Sequence, residues 1–301
     1  MLKLAKKIWY LLPRCGRIDS IVFAPPGDAG GVKSLYTVCG WLGHFGRSAI
    51  ASFDGNHLVD WFPHRCELFD KSYAPHLAVY PEVHQPYLGE GCFHICFALG
   101  KYGRILPHAD LVVCKTPDMA DWVRAQLPET RIVMVRPSIE RSVFEYDGRP
   151  KRNQICYMTK PHKHPETAGL LRDRYSGKLV EIISEPEAGV AEILKESKVF
   201  VWRSNDKEGS PRPPKEALVA GCQVVGLAAD LNERFRIDFG IKCSNVGELV
   251  AKAGEALQMP VPTPQERSVV HDSRHEREDW LKLIKASRVK KRGYAPGPLR
   301  A

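Results

Sequence analysis

The 301-residue chain has no apolar run near the roughly 20 residues that a bilayer-spanning helix requires. Neither a membrane span nor a secretory leader is therefore expected. Its nine cysteines include no Cys-x-x-Cys pair, and Cys92 and Cys96, with three residues between them, have no matching second pair. That pattern speaks against a thiolate zinc site. The cysteines are expected to be reduced and to serve as small buried residues, as Cys114 would in Asp110-Leu111-Val112-Val113-Cys114. His-Glu-x-x-His, Asp-x-Asp and a Ser/His/Asp order are also missing, so neither a metal centre nor acyl-transfer chemistry is expected. No internal repeat suggests a solenoid or propeller.

What is present fits an ordinary globular protein with 44% hydrophobic residues, long enough for two domains. The formal charge of +9 favours an anionic partner, such as a nucleotide diphosphate, an acidic membrane surface or nucleic acid. The basic residues are dispersed, apart from Arg288-Val289-Lys290-Lys291-Arg292, and no recognition module is visible. Nucleic acid is therefore not expected as a partner. In residues 1–14, Lys3, Lys6 and Lys7 are interleaved with Leu2, Leu4, Ile8, Trp9, Leu11 and Leu12. This basic amphipathic pattern suits an anionic lipid interface, and equally a helix packed on the protein itself.

The chain alternates short apolar strands with helical patterns. Ser20–Ala24 reads as a buried strand, followed by a loop Pro25-Pro26-Gly27-Asp28-Ala29-Gly30-Gly31 and a helix from Val32 to about Phe45. Strands are predicted at Ala49–Phe53, His76–Tyr80, Asp110–Cys114 and Arg131–Val135, with Thr116-Pro117-Asp118 starting a helix that runs to Leu127. The hydrophilic stretch Glu145–Asn153 then interrupts the pattern as a candidate linker. Strands resume at Gln154–Met158, Lys178–Ile183, Lys198–Trp202 and Gln223–Leu227, with helices near Pro165–Arg172, Ala188–Glu196 and Glu276–Ala286. The expected fold is α/β, with two Rossmann-like domains facing across a cleft: residues 1–147, 148–273, and a C-terminal helix with a basic tail at 274–301 that returns toward the first domain.

One stretch carries more information than the rest. The buried strand ending Val199-Phe200-Val201-Trp202 feeds Glu208-Gly209-Ser210-Pro211-Arg212-Pro213-Pro214-Lys215-Glu216-Ala217, and Ala220-Gly221 stops the short helix before the next strand. Two glutamates eight positions apart thus flank a helix start, suitably placed for a polyhydroxylated ligand. Tyr80-Pro81-Glu82-Val83-His84-Gln85-Pro86 ends a strand on the predicted cleft edge, where Glu82 or His84 could orient an acceptor hydroxyl.

The stretch Glu208–Glu216 resembles the Glu-x7-Glu signature of family 4 retaining glycosyltransferases of the GT-B fold. Asp28-Ala29-Gly30-Gly31, Asp110–Thr116 and Val135-Arg136-Pro137-Ser138-Ile139-Glu140 followed by Phe144 resemble further family segments in the expected order. The resemblance implies that Glu208, with Gly209 and Ser210, meets the donor sugar and that Glu216 accepts hydrogen bonds from the ribose. Gly30 and Gly31 would complete an anion pocket. Lys160 and Lys163 stand where the family holds an Arg/Lys pair on the diphosphate, here with a lysine first and a shorter interval. The implied activity is retaining, metal-independent and cofactor-free transfer from a nucleotide diphosphate sugar to a glycan or lipid-linked acceptor. It would take place in the cytoplasm, at the inner membrane face. A GT-B-like scaffold that binds a nucleotide sugar or glycan without turnover is the alternative. If the leader meets a membrane, deleting Met1–Arg14 abolishes association with anionic liposomes; flotation unchanged by the deletion would exclude that role.

Overall fold

A computed structural model describes residues 18–27, 30–53, 57–158, 164–205 and 207–287. The leader Met1–Arg14, Asp28 and Ala29, Lys160 and Lys163, and the basic tail Arg288–Arg292 lie outside the described residues.

The first half runs β1 (Ser20–Ala24), α1 (Gly30–Leu42), β2 (Ser48–Ser52), β3 (Glu67–Leu68), β4 (Leu77–Pro81), β5 (Phe93–Ala98), β6 (Leu111–Cys114), α2 (Pro117–Gln126) and β7 (Ile132–Met134). Its strands form one parallel sheet in the order β3-β2-β1-β4-β5-β6-β7. Helix α1 begins at Gly30, so the two glycines assigned to the loop are its first residues. Thr116 caps α2 as expected, its hydroxyl accepting from the Met119 amide at 3.3 Å. Strand β5 was not anticipated from the sequence. It is buried on both faces, with Ile95 and Phe97 in one apolar cluster and Cys96 and Ala98 in the other. A strand covered on both sides has no polar alternation to announce it.

A short connection, β8 (Ser138–Ile139) and α3 (Arg141–Phe144), leads to the second half. There follow β9 (Arg152–Met158), α4 (Pro165–Tyr175), β10 (Leu179–Ile182), α5 (Glu187–Glu196), β11 (Ser197–Trp202), α6 (Pro213–Val219), β12 (Gln223–Leu227), a π-helical turn (Ala229–Arg234), β13 (Ile241–Cys243) and α7 (Val246–Ala256). These strands are parallel in the order β10-β9-β11-β12-β13. Each sheet is sandwiched between helices, which explains the near-continuous apolar runs of its strands. The hydrophilic stretch before β9 is tied to this half: the Tyr146 amide donates to the Val219 carbonyl at 3.1 Å, and Lys151 Nζ to the carbonyls of Ala220 and Leu194 at 2.6 and 2.8 Å.

The chain then forms α8 (Pro264–Arg267), β14 (His271–Asp272) and α9 (Ser273–Ala286). Strand β14 pairs with β8, and Asp272 caps α9. Helix α9 returns to the first half. Trp280, 1% exposed, meets Phe97 of β5 edge-on with ring centroids 5.1 Å apart, while Asp279 receives Nε and Nη2 of Arg136, both at 2.8 Å. All eight described cysteines are free and seven are buried, consistent with a packing role. Among the described residues no helix is long and apolar enough to cross a membrane. Because Trp280 is the largest fully buried side chain, Trp280→Ala is expected to cost about 3–5 kcal/mol in denaturant unfolding; a loss below about 1 kcal/mol would mean that α9 is not anchored there.

Candidate functional site

In open α/β sheets a ligand crevice forms at the carboxyl ends of the strands, where successive connections diverge to opposite sides. The first sheet diverges between β1 and β4, the second between β9 and β11. The carboxyl ends of these strands converge on a cleft of about 690 Å³. Gly30 and Gly31 of α1, Glu82 after β4, and Leu99 and Gly100 after β5 line it from the first half. The segment Glu208–Pro213 and Glu216 line it from the second.

The loop after β11 is held on all sides. Arg203 donates from Nη1 to Thr167 Oγ1 at 2.9 Å, and the Ser204 amide to Asp230 Oδ2 at 3.2 Å. The Asn205 amide donates to Glu208 Oε2 at 3.3 Å, the Glu208 amide returns to the Asn205 carbonyl at 3.2 Å, and Arg234 Nη2 reaches the Glu208 carbonyl at 3.1 Å. Glu208 forms an antiparallel bridge with Gly100 of the first half. Beside it the Lys101 amide donates to the Lys207 carbonyl at 2.8 Å, and Thr116 Oγ1 to the Gly209 carbonyl at 2.9 Å. A Cβ on Gly209 would stand 2.5 Å from the Leu99 carbonyl oxygen and 3.0 Å from Met119 Sδ. The close approach that its glycine permits is thus to the backbone of the other half. Ser210 is tied locally, its Oγ accepting from Lys215 Nζ at 3.3 Å.

Glu216, 7% exposed, does not present a bare carboxylate. Arg212, one turn earlier, places Nη2 at 2.9 Å from Glu216 Oε1 and 3.5 Å from Glu187 Oε1. Glu187 also pairs with Lys33 of α1, across the two halves. A Cβ on Gly30 would touch Arg212 Cδ at 3.5 Å, so the aliphatic stem of this side chain lies against the first turn of α1. Burial, with the Arg212 charge adding to it, pushes the Lys33 ammonium down to about 7. Sequence reading missed Arg212, Lys33 and Glu187. For Arg212 a signal was available in its i, i+4 spacing to Glu216; the other two meet only through tertiary packing.

Glu82 and His84 separate. Glu82 is 4% exposed and lines the cleft, its Oε2 accepting from the Leu99 amide at 2.9 Å. The His84 ring lies 4.2 Å from that of Phe53 and 5.9 Å from that of Phe23, outside the cleft lining, and its burial lowers its pKa. Among the described residues no group of three His, Cys, Asp or Glu side chains could hold a metal ion.

Burial raises the Glu82 carboxyl from 4.5 to about 7, against the opposing pull of the Leu99 amide and other nearby backbone N–H groups. Its folded-state value lies above the unfolded one, so the native protein holds this proton more tightly. The resulting stability is complete below about pH 4.5 and is lost as pH rises through about 7. The shift corresponds to about 3 kcal/mol. Glu82→Gln cannot titrate, so its thermal midpoint is expected to fall less than that of the wild type across this window; parallel profiles would refute the assignment.

No protein-family model and no curated protein sequence matches the chain. Solved structures do. Sucrose-phosphate synthase from Thermosynechococcus elongatus superposes with a TM-score of 0.61 at 9% identity, covering 90% of this chain and 99% of that one. HepE of Anabaena, solved with UDP and glucose, gives 0.60 at 9% identity over 90% and 100%. AviGT4, a glycosyltransferase involved in avilamycin A biosynthesis, gives 0.58 at 13% identity over 89% and 98%. The similarity spans both sheets and the cleft between them, and the chain has the α/β GT-B fold.

Proposed function

We propose that this protein is a glycosyltransferase that moves a sugar, of the hexosyl type, from a nucleotide diphosphate sugar to a glycan or lipid-linked acceptor. The observation that carries the reading is the cleft at the carboxyl ends of both parallel sheets, with Glu208 and Glu216 on its second-half wall. HepE, with the same fold, is described with UDP and with UDP-glucose. Transfer retains the anomeric configuration without a metal or cofactor, as the Glu-x7-Glu resemblance implies. It serves cell-surface polysaccharide or glycoconjugate synthesis in the cytoplasm, with the basic leader meeting the inner face of the membrane.

Each residue has a role consistent with its chemistry. An ionised carboxylate only accepts hydrogen bonds, which suits Glu216 to vicinal ribose hydroxyls and Glu208 to hydroxyls of the donor sugar. The departing diphosphate needs positive charge and N–H donors. Arg212 beside the first turn of α1 supplies both, with Lys160 and Lys163 as further candidates. The acceptor oxygen bonds to the anomeric carbon on the face that the diphosphate leaves, and the acceptor proton passes to the departing phosphate oxygen. Glu82, buried against backbone amides, shapes the acceptor side.

The departure from the family pattern at Lys160, with its short interval to Lys163, favours a second reading, a scaffold that binds a nucleotide sugar or glycan without turnover. A thermal-shift panel of UDP, GDP, ADP, CMP and dTDP with their common sugar conjugates tests the donor role. A ligand at about 100 times its Kd stabilises the fold by about 2.7 kcal/mol. One nucleotide is expected to raise the wild-type midpoint and to fail with Glu216→Ala. No shift with any nucleotide would overturn the donor reading, and binding without transfer or hydrolysis would select the scaffold.

A further inference from the structure

Leu99 and Gly100, immediately after β5, are gripped from two sides. On one side the Glu82 carboxyl group accepts from the Leu99 amide at 2.9 Å. The turn that carries Glu82 is itself braced by Gln85, whose Nε2 donates to the carbonyls of Glu82 and Arg104 and whose Oε1 accepts from the Leu106 amide at 2.9 Å. On the other side the Leu99 carbonyl faces Gly209, Gly100 bridges to Glu208, and the Lys101 amide bonds to the Lys207 carbonyl. The Leu99 side chain also lies against Gly31, 3.5 Å from where a Cβ would stand. A three-residue segment with a buried carboxylate behind it therefore forms the seat of the donor-side loop.

We propose that Glu82 is a positioning residue: its buried carboxyl group fixes the amide of Leu99, and the segment Leu99–Lys101 so held sets the place of Glu208 across the cleft. The proposal rests on the donor role of Glu208 and reassigns Glu82 from touching the acceptor to acting through its neighbours. An N–H group held by a buried carboxyl oxygen orients the peptide plane to which it belongs, and a neighbouring strand can add to a segment only when its peptide planes are oriented. Without that carboxyl group the Leu99 amide loses its acceptor, and the segment gains the freedom to turn it elsewhere. The consequence appears in the sugar-binding half of the donor site, because Glu216 is seated separately by Arg212.

Amide hydrogen exchange on the full-length chain reads the seat directly. In Glu82→Ala the amides of Lys101 and Glu208 are expected to exchange at least about tenfold faster, while those of Ile95 and Val112 in the sheet keep wild-type rates. Glu82→Gln retains one acceptor oxygen and is expected to restore part of the protection. Unchanged exchange at Lys101 and Glu208 overturns the proposal, and if Glu82→Ala does not fold, Glu82→Met, which fills the space without offering an amide acceptor of comparable strength, decides by the same criterion. The second readout compares the nucleotide that stabilises the wild type with its sugar conjugate. Glu82→Ala is expected to weaken the conjugate about tenfold and to spare the bare nucleotide, a difference of about 1.4 kcal/mol. Equal weakening of both would indicate a general structural defect and overturn the positioning role. Failure of every nucleotide to bind the wild type would instead sink the donor reading, leaving the exchange result to judge the seat alone.

Discussion

Two open parallel sheets have no inherent reason to face each other at one distance. Here their separation at the cleft is set by backbone meeting backbone, where Leu99–Lys101 of the first half receives Lys207–Gly209 of the second. Such contact requires a glycine at the point on each strand where the other's backbone comes closest. Gly209 is crowded by the Leu99 carbonyl, and Gly100 has the Lys207 carbonyl 2.9 Å from where a Cβ would stand. Because Glu208 lies between those glycines, the position of a candidate ligand-binding carboxylate depends directly on how the halves dock.

Around this junction the halves are joined by buried charge. Lys33 meets Glu187, and Glu187 shares Arg212 with Glu216, while Lys115 pairs with Glu276 at 2.8 Å, to which Ser138 also donates. Buried ion pairs contribute little net stability against well-packed apolar residues, yet removing one partner is strongly destabilising. They favour one relative placement of the halves over others. They also place Arg212 between two carboxylates, so an anionic ligand entering the cleft competes with Glu187 and Glu216 for the same guanidinium.

Much of the architecture was legible beforehand. Strand β12 was placed residue for residue at Gln223–Leu227, and the Thr116 cap with Pro117 at the first helical position marked the start of α2. Chain-local signals sufficed there, since period, cap and turn chemistry are written in contiguous residues. Strand β5 escaped because burial on both faces removes the alternation that identifies a strand, and its Cys96 entered the reading only through its spacing from Cys92. For the candidate site, the stretch Glu208–Glu216 was legible from its glycine, prolines and paired carboxylates. The engagement of Glu216 by Arg212 and the distance of His84 from the cleft were not, because both depend on side-chain packing that local pattern does not encode.

The sequence by itself determined the alternation of strand and helix, the parallel α/β class, the free-cysteine packing role and the segment that carries the two glutamates, because each follows from local periodicity or composition. Tertiary structure alone decided that Gly209 answers to a carbonyl of the other half, that Lys33 and Glu187 meet across 154 positions of chain, and that Glu82 holds Leu99. The physical reason is the same in each case. Burial, approach and hydrogen-bond partners at the cleft are properties of two sheets brought together, and no single stretch of chain contains them.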